Sequence, residues 1–123
     1  MHVRWEELPS EDVRPGVSRR AVGTPEVMLV MNACRPGMEV RPHSHDFVQI
    51  ALILSGTAIY NVGDVPNEVG PGSILVIPAG AEHYIEPTGD ERVMNLDVFA
   101  PAREDYMHLV AWMAEVGGSR PAS

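Results

Sequence analysis

Gly37-x5-His43-Ser44-His45-x3-Gln49-x6-Gly56, followed by Gly72-x5-Pro78-Ala79-Gly80-x2-His83, is the stretch that decides how this chain folds. Three of its five histidines fall in these two runs. His43 and His45 are two apart, so in an extended strand they point to the same face. Gln49 lies at a further even offset and stays on that face if the strand is continuous. Neutral imidazole nitrogens and an amide oxygen suit a divalent transition metal, among them Ni, Zn, Mn, Fe, Co and Cu. His43, His45, Gln49 and His83 as ligands would leave coordination positions open to water or substrate.

Outward from these runs, short β-rich segments alternate with turn signals, as in an antiparallel barrel or sandwich. The segments are 26–34, 47–54, 57–62, 73–77, 82–86 and 92–99, and the turns carry Pro36-Gly37, Ser55-Gly56, Gly63-Asp64, Gly70-Pro71-Gly72, Ala79-Gly80 and Thr88-Gly89-Asp90. Segment 73–77 is apolar on both faces and is expected to be covered on both sides, one of them by a partner subunit. Residues 1–25 are polar and punctuated by Pro9, Pro15 and Pro25. They read as an N-terminal arm along the barrel edge, with one short strand over 17–22. The barrel itself spans 26–100.

After Pro101 the period changes. Tyr106, Leu109, Val110, Met113 and Val116 recur at helical spacing and predict a C-terminal helix over 101–116. Pro101 or Ala102 can open it, and Glu104 and Asp105 favour its positive end. Its apolar stripe either packs on its own barrel or docks on a second subunit. The segment 117–123 reads as a disordered tail.

At 123 residues the chain is long enough for one domain with a proper core. A net charge of −8 argues against a nucleic-acid or anionic-membrane partner. No apolar run reaches membrane-spanning length. The N-terminus lacks the apolar core of a signal peptide, so the cytoplasm is the expected location. The single cysteine, Cys34, excludes an internal disulfide and any Cys-rich metal site. Within the apolar run 27–34 it reads as a buried small hydrophobe rather than a nucleophile. Lysine is absent and all nine basic residues are arginines. A lysine Schiff base or lysine general base is therefore excluded. An anionic substrate would have to be recognised by arginine.

The two runs resemble the paired motifs of the cupin superfamily, a family of small jelly-roll β-barrels. Its first motif is G-x5-H-x-H-x3/4-E-x6-G and its second G-x5-P-x-G-x2-H-x3-N. The motif glycines, the proline and all three histidines are present at the right spacing. Gln49 replaces the usual Glu, and Pro87 stands where the second motif ends in Asn. The resemblance covers roughly residues 26–100 and implies an all-β, single-domain cupin with a short C-terminal helix. It also implies a homodimer, since small cupins usually pair.

A second resemblance narrows the group. Asp97-x-Phe99-x-Pro101-x-Arg103-Glu104-Asp105 is similar to the C-terminal signature of small cupins of the KdgF type, which act on unsaturated uronates. That group often carries H-S-H-x3-Q and a G-V-S-R-R run, matched here at His43–Gln49 and Gly16–Arg20. The likeness carries the metal ligands over to His43, His45, Gln49 and His83. Asp97, Phe99 and Arg103 become pocket residues beside the metal, in catalytic roles. The filler Asp46-Phe47-Val48 is more apolar than in many members, which suits a less polar substrate than a uronic acid, such as a polyketide.

Strand parity places Phe47, Ala51 and Ile53 with Gln49, Ile85 with His83, and Asn95 and Phe99 with Asp97. The opposite register of the last strand would put Met94, Leu96 and Val98 inside instead, and both registers fit the sequence. Phe47, Tyr60, Ile85 and Asn95 are the candidate substrate-pocket residues. Asp97 is either the acid/base of a proton transfer or a hydrogen-bonded structural carboxylate. Arg103 either holds a substrate carboxylate or pairs with Glu104, Asp105 or Asp90. Three functions compete for a small-molecule substrate: a metal-dependent isomerase, tautomerase or lyase; a metal-dependent dioxygenase; and a non-catalytic metal or small-ligand-binding module.

Overall fold

The computed structural model describes residues 1–116. The expected tail over 117–123 lies outside the described residues. Nine strands run in chain order: β1 (Glu11–Arg14), β2 (Val17–Thr24), β3 (Val27–Cys34), β4 (Gln49–Ser55), β5 (Ala58–Val62), β6 (Val65–Val69), β7 (Ile74–Ile77), β8 (His83–Pro87) and β9 (Val93–Phe99). They form a six-stranded sheet of order β1-β2-β3-β9-β4-β7 and a three-stranded sheet of order β6-β5-β8. All named pairings are antiparallel. The strand crossings between β3, β9 and β4 are those of a jelly roll.

The core lies between the two sheets. Ala51, Ile53, Ile77 and Val93 of the large sheet meet Ala58, Tyr60 and Ile85 of the small one. Strict alternation of buried and half-exposed residues along β9 turns Asn95, Asp97 and Phe99 inward and Met94, Leu96 and Val98 outward. This settles the two registers left open by the sequence in favour of a polar, buried Asp97.

Turn glycines set the corners. The motif glycines Gly37, Gly56, Gly72 and Gly80 all take φ between 80° and 93°, a region open to glycine and costly for other residues. At Gly56 there is also no room for a side chain, because a Cβ would meet the Arg92 carbonyl oxygen at 2.6 Å. That contact brings the turn after β4 against the start of β9.

The sequence reading and the structure differ in three places. The N-terminal segment lies at the edge of the large sheet as expected, but it supplies two strands, β1 and a β2 that runs to Thr24 and pairs along its whole length with β3, where one short strand over 17–22 is expected. Val65–Val69 is a strand although it contains Pro66 and little alternation. It is the outer strand of the small sheet, the position at which proline is tolerated. The C-terminal segment is helical but broken, with 3-10 turns over Glu104–Val110 and one α turn, α1 (Met113–Val116). No side chain caps its start at Arg103, and Asp105 gives both carboxylate oxygens to Arg103 instead.

Leu109 and Val110 bury against Ala21, Met28, Val30 and Phe99, with Tyr106 and Met113 packed beside them. Trp112 Nε1 donates to the Ala21 carbonyl at 3.0 Å. This segment therefore covers its own sheet. Among the described residues no helix is long and apolar enough to cross a membrane.

Candidate metal centre

His43 precedes β4 in a loop that is tied down by one reciprocal bridge to β8. The His43 and His83 amides each donate to the other's carbonyl, at 3.1 and 2.9 Å. Gly80 N donates to the His45 carbonyl at 2.6 Å, so the second motif's turn holds the first motif's loop. The two motifs, distant in sequence, thus build one site.

The three imidazoles are oriented alike. Nδ1 of each faces a main-chain carbonyl: Arg41 at 3.1 Å for His43, Phe47 at 2.8 Å for His45 and Ala81 at 2.9 Å for His83. A proton on Nδ1 satisfies each carbonyl and leaves a lone pair on Nε2, the usual way that backbone contacts fix a ligand's tautomer. Ligand atoms of all three histidines lie within 4.8 Å of one another. The buried Nε2 of His83 has no hydrogen-bond partner. Burial lowers the pKa of His83 to about 4 and lowers that of His43 as well, so both rings are neutral at neutral pH. Three converging imidazoles, each with Nδ1 turned to a carbonyl, fit a cation.

Gln49 lies beside the three histidines. Its Oε1 lies 2.9 Å from Nε2 of His45. With the His45 proton on Nδ1, two lone pairs face each other there, an arrangement that a cation between them would relieve. The Gln49 side chain also interacts with those of Asp97 and Tyr60 and favours their ionised forms. One amide therefore joins the histidine cluster to the buried carboxylate.

Asp97 is 9% exposed. Its Oδ1 accepts from Asn95 Nδ2 and its Oδ2 from Asn32 Nδ2, each at 2.9 Å. Burial pushes its pKa up to about 6, against the opposing pull of the Asn95, Gln49 and Asn32 amides. Tyr60 is buried beside it, and desolvation drives its pKa well above the usual phenol value. It is a neutral hydrogen-bonding group here.

A cavity of about 190 Å³ opens over these groups. Of the candidate residues, His43, Gln49, Tyr60, Ile85, Asn95, Asp97 and Arg103 line it. Phe47 and Phe99 sit behind the histidines instead. Phe47 stacks on the His45 ring at 4.2 Å, and Phe99 meets Phe47 edge-on at 5.8 Å. Arg103 forms a two-pronged pair with Asp105, at 3.0 and 2.7 Å, and lies over the Tyr106 ring at 3.6 Å. Its side chain is only 10% exposed.

Sequence reasoning missed several wall residues. Asn32 comes from β3, and Arg14, Arg19 and Tyr106 come from outside the barrel motifs. The strand parity of 28, 30, 32 and 34 would have placed Asn32 inward. Arg19 lies in the G-V-S-R-R run, but nothing local in sequence says that this run borders the cavity. Four arginines, Arg14, Arg19, Arg41 and Arg103, against one buried acid make the wall basic, in a chain whose net charge is −8.

Comparison with known proteins agrees with this architecture. Residues 33–99 match the family model described as "Cupin domain". A dimethylsulfoniopropionate lyase, DddW of Ruegeria pomeroyi, is 42% identical over 81 residues, which cover 66% of this chain and 48% of that protein. The chain thus spans about half the length of that relative. Among solved structures, an RmlC-like cupin from Shewanella frigidimarina NCIMB 400 superposes with a TM-score of 0.76 at 27% identity, covering 85% of this chain and 93% of that one. KdgF from Halomonas sp. gives a TM-score of 0.73 at 28% identity, with 81% and 92% covered.

Proposed function

The chain belongs to the cupin domain family, and from that premise we propose that it is a metal-dependent enzyme that moves a proton on a small oxygenated molecule, as an isomerase, tautomerase or lyase. The observation that carries this reading is Asp97. It is a buried carboxylate with a pKa near 6, on the wall of the same cavity as His43 and Gln49. A group that titrates near neutrality can both take and return a proton. A dioxygenase or a passive binding module needs no such group.

His43, His45, Gln49 and His83 would hold the metal. When bound, a divalent ion supplies Lewis-acid polarisation of a substrate carbonyl oxygen, which takes up the C=O π pair as the adjacent carbon is deprotonated. The protein's own groups do the rest. Asp97 removes a proton from the carbon next to that oxygen-bearing carbon. The C–H electron pair becomes a C=C π bond, and negative charge builds on the oxygen. Return of the proton to another position completes an isomerisation. Loss of a β-substituent with its bonding pair completes an elimination. The Asn32 and Asn95 amides hold the carboxylate in place, and Arg103 aligns an acidic group of the substrate.

Two similarities bear on the substrate. DddW is named as a lyase of dimethylsulfoniopropionate, a carboxylate, and KdgF-type cupins act on unsaturated uronates. Both substrate types suit the basic wall. The test is turnover of 4,5-unsaturated uronates and of dimethylsulfoniopropionate, with oxygen present and absent. Asp97→Asn should keep the metal and lower turnover roughly 10²–10⁴-fold. Oxygen-consuming turnover that survives Asp97→Asn would replace this reading with a dioxygenase. Failure on both substrate types would remove the substrate assignments.

A further inference from the structure

The ladder between β1 and β2 carries a bulge. Glu11 pairs with Arg19 and Asp12 with Ser18, but Arg14 pairs with Val17, so Val13 is an extra residue. Glu11 and Arg14 are three apart and would point to opposite faces of a regular strand. The extra residue resets the parity and turns Arg14 to the face that carries Val17 and Arg19, both of which line the cavity. Bulges re-aim side chains in this way. Val13 and Arg14, although adjacent, both line the cavity as well.

The four arginines of the wall differ in their partners. Arg19 pairs with Glu11 at 3.4 Å, Arg41 with Glu39, and Arg103 with Asp105 at 2.7 Å. Arg14 pairs with no carboxylate among the described residues. Its Nε donates to the Glu39 main-chain carbonyl at 2.8 Å. That bond orients the guanidinium and leaves its two Nη groups, a fork that can grip a carboxylate with two donors, uncommitted. Arg14 is half-buried, where a charge without a counter-charge is costly.

Arg14 and Arg103 reach the wall from different places. Arg103 follows β9, and β1 lies three strands away from β9 in the sheet. Arg103 and Arg19 both lie over the Tyr106 ring, at 3.6 and 4.3 Å. Arg14, opposite Val17, is one inward position further along β2 from Arg19. A guanidinium fork takes one carboxylate, so two forks in separate positions suit two acidic groups. The cavity of about 190 Å³ has room for a short chain joining them.

We propose that Arg14 forms a second anion subsite, and that the ligand of this cavity is a small diacid with one acidic group at Arg14 and the other at Arg103. The inference rests on the reading that the cavity receives a small acidic molecule, and it adds the substrate class and a specificity-determining residue.

The test is calorimetric titration of the zinc-loaded full chain with succinate, glutarate and adipate, each against the monoacid of equal length: butyrate, valerate and hexanoate. At least one diacid should bind about tenfold or more tightly than its match, the worth of a charge-assisted contact. Arg14→Gln should lower that diacid to the affinity of its match and leave the monoacid unchanged, with metal content and circular dichroism kept. Arg14→Lys, which keeps the charge without the fork, should retain only part of the preference. Arg35→Gln, exposed and outside the cavity wall, should behave as wild type. A wild-type chain with no diacid preference overturns the proposal. So does a preference that survives Arg14→Gln, or one that Arg35→Gln removes equally. Asp97-dependent turnover of a monoacid without any diacid preference would remove only the second subsite. An Arg14-dependent preference in a chain that transfers no proton would remove only the proposed reaction.

Discussion

Asn32 on β3 and Asp97 on β9 are joined by a 2.9 Å hydrogen bond, the asparagine Nδ2 donating to Oδ2. The two residues are 65 apart in sequence and one strand apart in the sheet. Asn95 holds the other carboxylate oxygen, so Asp97 cannot rotate without losing an amide donor. Asn32→Ala leaves one oxygen of a buried carboxylate unsatisfied, which costs about 1–3 kcal/mol. Urea unfolding should register that loss, while metal content, set by other residues, stays the same. An unchanged midpoint would mean that water replaces the asparagine and that the bond is not structural.

The histidine cluster predicts a metal-linked stability. A cation held by Nε2 lone pairs of His43, His45 and His83 binds the folded chain and not the scattered unfolded residues. Such a ligand stabilises by RT ln(1 + [L]/Kd), about 2.7 kcal/mol at a hundredfold excess over Kd. Chelator should lower the melting temperature, and Ni, Zn, Mn, Fe or Co should restore it to differing degrees. In His43→Ala with His83→Ala the melting temperature should no longer respond to chelator or metal. A response that persists in the double variant would place the metal elsewhere.

Most of this architecture was legible because motif spacing and strand parity are local rules. His43, His45 and His83 could be brought together on paper from two glycine-bracketed runs, and they converge in the fold. Asp97 was ambiguous in sequence because the residues of β9 on both sides of it are apolar; only packing against the small sheet decides which face goes inward. Asn32 and Tyr106 were not read as site residues, because their role depends on which strand lies beside which. The β3–β9 pairing links residues 59 to 71 positions apart, and no local pattern encodes it. Phe47 was read as a pocket residue from parity, but the chain has not yet entered β4 there, and its ring backs His45 instead. The helical period after Pro101 was correct in face and wrong in continuity, since Asp105 pairs with Arg103 rather than capping.

Cys34 supplies a pH prediction. It is buried, and desolvation, reinforced by the nearby Asp97 charge, pushes its thiol up to about 12. Below about pH 8 the thiol is protonated in both folded and unfolded chains and contributes no pH dependence. Between about 9 and 12 the unfolded chain ionises first, so the folded state is progressively disfavoured as pH rises. Cys34→Ala should flatten this alkaline loss of stability. Native protein at pH 8 should also resist thiol reagents that label it rapidly in urea. Fast labelling of the native state would contradict the buried, protonated thiol.

Arg103 supplies the sharpest test of substrate recognition. Its guanidinium carbon lies 3.6 Å from the centre of the Tyr106 ring and the group is clamped by Asp105 through two hydrogen bonds, so it reaches the cavity wall already oriented. Planarity is what makes this possible, and lysine cannot reproduce it. Arg103→Lys should therefore behave much like Arg103→Ala, with KM for a carboxylate substrate raised about tenfold or more, since losing a charge-assisted hydrogen bond costs about 1.5–3 kcal/mol. Metal content should not change. Asp105 is 61% exposed, and such surface pairs contribute about 1 kcal/mol or less. Asp105→Asn should leave the melting temperature nearly unchanged while raising KM modestly, because the clamp is loosened and the charge remains. If Arg103→Lys keeps the wild-type KM, Arg103 belongs to the C-terminal packing and not to substrate binding, and the carboxylate must be met by another arginine of the wall, Arg14, Arg19 or Arg41.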